Sequence, residues 1–203
     1  MNDHLAWLAT LATVVLLFGY ETIVAVAQRR QPDRMARSAH TALREDWFSA
    51  VSQQEGSEIL AVQTLRNSLM SATMTASTAA LGLVATATSA APFLNLSFTP
   101  RLMLELLLLT LLFASLVCSA MAVRYYNHAG FICGMPVASE VRQRWAPTGT
   151  AYMRRAGLLY SWGLRHLILL APILASLLHP FAGPVATLVV VVVLSGSDRL
   201  GAG

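Results

Sequence analysis

The residues of this chain that could do chemistry are arginines, amides and a histidine at the ends of long apolar stretches. Arg66, Arg124 and Arg165 lie at or just inside such ends, and Glu21 interrupts another apolar run. Guanidinium groups bind carboxylate and phosphate in a forked geometry, so three of them against one carboxylate would form a net positive site. The pattern predicts a cytoplasmic-rim polar cluster that binds an anion or a lipid headgroup. Its members are Glu21, Gln63, Arg66, Asn67, Arg124, Tyr125, Asn127, His128 and Arg165.

The same residues also fit a purely structural interpretation. Glu21 is a natural ion-pair partner for Arg66 or Arg165. The cluster would then lock the helix ends together, while the long arginine side chains extend to water. In either case we expect replacement of Arg66 to cost more stability than replacement of Arg37.

No catalytic pattern accompanies these residues. The chain has no nucleophile elbow, no phosphate-binding glycine loop, no zinc motif and no aspartate-rich metal motif. Cys118 and Cys133 lack a metal-ligand spacing, and we expect both to be packing residues without a disulfide. We therefore expect no catalytic residues, no metal and no cofactor, and we do not expect an enzyme.

The elements that must position the cluster are membrane-spanning helices. The chain is 56% hydrophobic and 12% charged, whereas soluble domains carry about 25% charged residues. About 20 apolar residues in a helix cross the hydrocarbon core. The sequence predicts an all-α transmembrane bundle with four long spans and a short fifth, in a single integral membrane domain over residues 1–203. The predicted spans are 5–26, 60–92, 102–123, 151–178 and 180–197.

The distribution of arginine predicts an orientation. Segments 28–58 and 124–157 are rich in arginine, whereas the predicted turn 92–101 has only Arg101. By the positive-inside rule the two rich segments are cytoplasmic. The N-terminus would lie outside and the C-terminus in the cytoplasm, in a bacterial inner membrane.

An amphipathic cytoplasmic helix is predicted over residues 34–54. Met35, Leu43, Trp47 and Val51 recur at spacings of four or eight residues, and Arg37 falls outside this stripe. Such a helix is suited to lie on the inner leaflet or beneath the bundle.

The second span is rich in alanine, serine and threonine, and the third is rich in leucine. Small faces allow helix backbones to approach closely in membranes. We therefore expect the second span to be the most buried and the third to be the most lipid-exposed. A hydrated path along the hydroxyl groups is the alternative. The expected packing residues are Ala72, Thr75, Ala76, Ala80 and Gly82.

Three segments carry a resemblance to a known family: AVQTLRNS at 61–68, RYYNHAGF at 124–131 and GLLYSWGLR at 157–165. With them the chain resembles the domain-of-unknown-function 599 family of bacterial and plant membrane proteins, from the first span to about Leu194. The chain departs from the family after Arg165, where the family tends to continue with aromatic residues. The resemblance implies the fold and topology, and it implies no activity.

These observations favour a non-enzymatic assembly or accessory subunit that packs through its second span into a homo-oligomer or a larger membrane complex. The alternatives are a channel or transporter for a small anion or solute and, less favoured, a lipid-acting enzyme. The expected partners are membrane lipids and protein subunits. No basic patch interleaved with aromatic residues points to nucleic acid.

Overall fold

The computed structural model describes residues 3–31, 34–90 and 98–199, and this part of the chain is helical almost throughout. The all-α prediction is confirmed. Residues 92–97 of the predicted outer turn lie outside the described residues. The helices are α1 (Asp3–Arg30), α2 (Ala36–Val51), α3 (Glu58–Ala90), α4 (Pro100–Cys133), α5 (Glu140–Ile168), α6 (Leu170–Leu178) and α7 (Ala182–Asp198).

Four helical stretches are long and apolar enough to cross a membrane, as predicted. They are His4–Arg30, Glu58–Ser89, Pro100–Cys133 and Glu140–Leu178. The last comprises α5 and α6, which adjoin at Leu169. Helix α7 is apolar and has 17 residues, so it is about 25 Å long and shorter than the hydrocarbon core of about 30 Å.

Helix α5 begins earlier than the sequence predicts. The predicted span begins at residue 151, but the helix begins at Glu140 and continues through Pro147. Proline removes one backbone hydrogen bond inside a helix, and the first turn of α5 buries Arg142. Pro172 lies in the first turn of α6, where the fixed φ of proline is tolerated.

The amphipathic helix is present, but its buried stripe differs from the predicted one. Phe48 and Val51 are buried, whereas Leu43 is 66% exposed. A row of residues spaced by four advances about 40° around an α-helix at each step, because 3.6 residues make one turn. The predicted stripe therefore winds around α2 instead of staying on one face. The predicted exposure of Arg37 is also wrong, since this side chain is half-buried.

The chain forms two compact units, each with its own apolar core. Unit 1 comprises Met1–Ser38, Ala79–Ala114 and Arg165–Gly203, and unit 2 comprises Ala39–Thr78 and Ser115–Leu164. The core of unit 1 is leucine-rich and includes Leu17, Leu108 and Ile173. The core of unit 2 is built around Phe48 and includes many alanines.

The expected order of burial is reversed. The most apolar stretch of α3 has 17% of its residues buried, against 28% for α4 and 33% for each of the other two candidate spans. Most of the serines and threonines of α3 are exposed. Small side chains bury little surface against their neighbours, so the composition of α3 did not make it the packing centre of the single chain.

Candidate functional site

Among the described residues, Arg165 of unit 1 forms the most ion pairs. Its side chain is 5% exposed, and its Nε donates to both carboxylate oxygens of Glu21 at 2.9 Å. Its Nη1 donates to Oδ1 of Asp198 at 2.8 Å. Helices α1, α5 and α7 each contribute one charged side chain, so the Arg165 cluster (Glu21, Arg165 and Asp198) fastens three helices together.

Two further side chains complete the surroundings of the cluster. The hydroxyl of Tyr20 donates to Oδ2 of Asp198 at 2.7 Å, and the Tyr20 ring centroid lies 5.5 Å from Cζ of Arg165. Burial lowers the pKa of Arg37, and repulsion from Arg165 adds to this shift, while the two carboxylates oppose it. Two guanidinium groups thus face two carboxylates. This charge balance fits a structural lock better than an anion site.

Asp198 was missed in the sequence, although a signal was present. It is an acidic residue that directly follows the apolar run of the fifth predicted span. Charges in or beside a span are costly unless they are paired. Arg165 lies inside another predicted span and needs such a partner, so Asp198 could have been considered as that partner.

The predicted rim residues of α3 and α4 belong to unit 2 and are mostly exposed. In the described part of the chain, no ion pair is formed by Arg66 or Arg124. Of the predicted set, the structure joins only Glu21 and Arg165 by an ion pair. A single connected cluster stays a prediction, because its members fall in two separate units. The exposed members in unit 2 are Gln63, Arg66, Asn67, Arg124, Asn127 and His128.

A row of planar groups in tilted contact forms on the α4 and α5 side of unit 2. The ring centroids of Tyr125 and Tyr152 are 5.6 Å apart, and His128 lies 5.6 Å from Tyr152 on the same measure. Cζ of Arg155 lies 5.9 Å from the centroid of the Tyr125 ring. The sequence pointed to Tyr125 and His128 but not to Tyr152 and Arg155. We call Arg155, Tyr125, Tyr152 and His128 the Tyr125 row.

The predicted packing residues of α3 divide into two groups. Ala72 and Thr75 are buried, whereas Ala76, Ala80 and Gly82 are half-buried. A Cβ added at Gly82 would lie 2.9 Å from Cδ2 of Leu112, so in unit 1 this glycine allows α3 and α4 to approach closely. These residues pack within the chain, and the exposed hydroxyl face of α3 is separate from them.

Unit 1 also contains two cavities that share Arg101 and Leu177. Their volumes are about 310 and 220 Å³, and hydroxyl groups such as Thr86 and Thr10 contribute to their linings. Arg101 pairs with Glu105 at 2.9 Å, and their i, i+4 spacing on α4 favours such a local pair. The linings therefore contain an ion pair and neutral hydroxyl groups and have no net charge that would favour one class of ligand.

Within the described residues, no group of three or more histidine, cysteine, aspartate or glutamate side chains could hold a metal ion. Both cysteines are free, with Cys118 half-buried and Cys133 buried.

Comparison with known families adds an independent observation. The family model described as a protein of unknown function, DUF599, matches residues 8–201, nearly the whole chain. The chain belongs to this family. The resemblance carried by the three sequence segments is thereby confirmed. No curated protein and no solved structure matches this DUF599 protein, so its function must be argued from its own geometry.

Proposed function

We propose that this DUF599 protein is a non-enzymatic integral membrane protein that assembles with further copies of itself through the exposed face of α3. The observation that carries the proposal is the low burial of a long apolar helix that is rich in alanine, serine and threonine. Ser71, Thr73, Ser77 and Thr78 are exposed on it. Small side chains permit close contact between helix backbones, which is how membrane helices associate.

The hydroxyl groups of α3 are arranged for packing. Thr73 donates to the carbonyl of Leu69 at 2.9 Å and Thr78 to that of Met74 at 3.0 Å. Ser71, Thr88 and Ser89 make equivalent bonds within the helix. Donors satisfied in this way need no water, so the face can enter a dry helix interface. This favours a packing surface over the lining of a hydrated path.

Helix α4 supplies the contrast. Its exposed apolar side chains are mostly bulky and include Leu106, Phe113 and Val117, whereas on α3 the exposed Met74 and Leu81 lie among small hydroxylated residues. Thr110 is the comparable exposed threonine on this helix, and it donates to the carbonyl of Leu106 at 2.8 Å. Small residues are the feature that lets helix backbones approach closely, so α3 is expected to face a second copy and α4 to face lipid.

We expect Thr78→Leu to weaken self-association by about tenfold or more, because a branched side chain would hold the two backbones apart. Thr110→Leu is the matched control, since it makes the same exchange at an exposed, intrahelically bonded threonine. Native mass spectrometry of both variants in detergent measures the fraction of oligomer. Exposed positions should leave the fold of the single chain unchanged in both cases.

A second measurement separates the possible partners. In a background with Cys118 and Cys133 replaced by alanine, Thr78→Cys should form a disulfide-linked dimer under oxidation in membranes, and Thr110→Cys should not. A monomer with no crosslink at Thr73, Ser77 or Thr78 would refute self-assembly. Crosslinking of these positions to a different protein would replace the second copy with a larger complex.

The proposal includes the orientation predicted from the arginines. In unit 1, Met35 and Arg199 form an isolated backbone bridge, and Tyr20 bonds Asp198. The end of α7 therefore lies beside the segment that follows α1. This supports a short α7 that crosses the membrane in the same direction as α1 and brings the C-terminus to the side of segment 28–58.

Cysteine labelling tests the orientation in the same cysteine-free background. An impermeant thiol reagent applied to intact cells should label Thr99→Cys and should leave His40→Cys and Trp145→Cys unmodified. All three positions are exposed. The reverse pattern would invert the topology, and labelling of both sets would mean that the arginine-rich segments do not share one side.

A further inference from the structure

We infer that the Tyr125 row, together with Arg124, binds the phosphate headgroup of an anionic phospholipid on the surface formed by the last third of α4 and the middle of α5. The inference is independent of self-assembly through α3. It rests on three properties of this surface of unit 2: a preformed stack, a position where apolar and charged residues meet, and unopposed positive charge.

The ring contacts orient Arg155. Arg155 lies over the Tyr125 ring, Tyr125 contacts Tyr152, and Tyr152 contacts His128. Arg155 and His128 are exposed, whereas the two tyrosines are half-buried. A guanidinium held on an aromatic face has less rotamer freedom to lose when it binds an anion.

The surface lies at the level expected of a headgroup. Arg124 is the first charged residue after the apolar stretch of α4, and Arg155 is the last before the apolar part of α5. Tyrosine is enriched at this membrane–water boundary, where its ring is apolar and its hydroxyl is wet. A lipid whose tails lie along the apolar parts of the two helices would place its phosphate beside these side chains.

The positive charge of the surface is not cancelled by carboxylates. In the described part of the chain, Arg124, Arg155 and His128 form no ion pair, whereas the adjacent Arg154 pairs with Glu45 at 3.7 Å. Phosphate oxygens would accept forked hydrogen bonds from a guanidinium and single bonds from tyrosine hydroxyls. Basic surfaces between membrane helices on the cytoplasmic side are suited to anionic headgroups.

Native mass spectrometry of the detergent-solubilised full chain, titrated with phosphatidylglycerol and separately with phosphatidylcholine, tests the assignment. We expect the phosphatidylglycerol adduct to be preferred. Arg155→Gln should weaken it by about fivefold, the effect of one arginine near an anionic surface. Arg144→Gln is the control, because Arg144 is an exposed arginine of α5 outside the row; its affinity should stay within twofold of that of the original chain.

Substitutions at Tyr125 separate the contribution of the aromatic ring to lipid binding from that of the positive charge. Tyr125→Phe keeps the ring and should retain most of the binding, whereas Tyr125→Leu should lose about as much as Arg155→Gln. If Arg155→Gln and Arg144→Gln lost equal affinity for phosphatidylglycerol, the binding would reflect only the overall positive charge, and the proposed site would be overturned. Displacement of the lipid by millimolar inorganic phosphate would assign the surface to a soluble anion and overturn the lipid assignment.

Discussion

Replacement of Arg142 by alanine is expected to destabilise the protein by about 4 kcal/mol or more. The side chain is 1% exposed and lies inside unit 2. Its Nη1 donates to the carbonyls of Cys133 at 2.9 Å and Met135 at 2.6 Å, and its Nη2 donates to that of Val51 at 2.9 Å. Truncation would strand the carbonyls of Cys133 and Met135 and leave a cavity, whereas the carbonyl of Val51 would keep its bond from the Ser57 hydroxyl at 2.7 Å. Each stranded acceptor costs about 1–3 kcal/mol.

Urea or thermal unfolding in detergent, followed by circular dichroism, measures this effect. Arg144→Ala, at an exposed position two residues away, should change stability by no more than about 0.5 kcal/mol. Arg142→Lys should recover only part of the loss, because one ammonium cannot reproduce two nitrogens at separate acceptors. Equal stability of the alanine variants at 142 and 144 would show that the three carbonyl bonds contribute nothing.

The second large effect is expected at Arg165. Arg165→Gln would leave Glu21 and Asp198, whose side chains are 22% and 17% exposed, without their cation. Loss of one partner from a buried ion pair costs about 3–5 kcal/mol. The loss should appear as reduced unfolding stability and as faster proteolysis of the end of α7, because Asp198 is the last residue of that helix.

A double-mutant cycle distinguishes pairing from packing. If Glu21 and Arg165 act as a pair, Glu21→Gln in the Arg165→Gln background should cost less than Glu21→Gln alone, with a coupling energy of about 1–3 kcal/mol. Additive effects would mean that the two charges are independent. Arg66→Gln serves as the control and should be nearly neutral, because Arg66 is exposed. This reverses the ranking expected from the sequence, since the half-buried Arg37 is now expected to matter more than Arg66.

The helical class, the four long apolar helices and the family could be predicted from the sequence. The first two depend on local properties of the chain: a run of apolar residues long enough to cross the bilayer, and a helix that satisfies its own backbone hydrogen bonds there. Arg165 was one of the two ion-pair partners predicted for Glu21 from depth alone. The depth of a residue in the membrane is set by its distance along the helix, so it can be estimated from the sequence.

Only the tertiary structure decided which side chains meet at a given depth. It paired Asp198 with Arg165. It buried Arg142, which belongs to the arginine-rich segment 124–157 that predicted the orientation. It placed Tyr152 between Tyr125 and His128. It also left the hydroxyl face of α3 uncovered. These outcomes depend on the rotation of each helix about its axis and on its neighbours. In a membrane, apolar residues surround every helix, so the hydrophobic periodicity that reveals a buried face in water is weak.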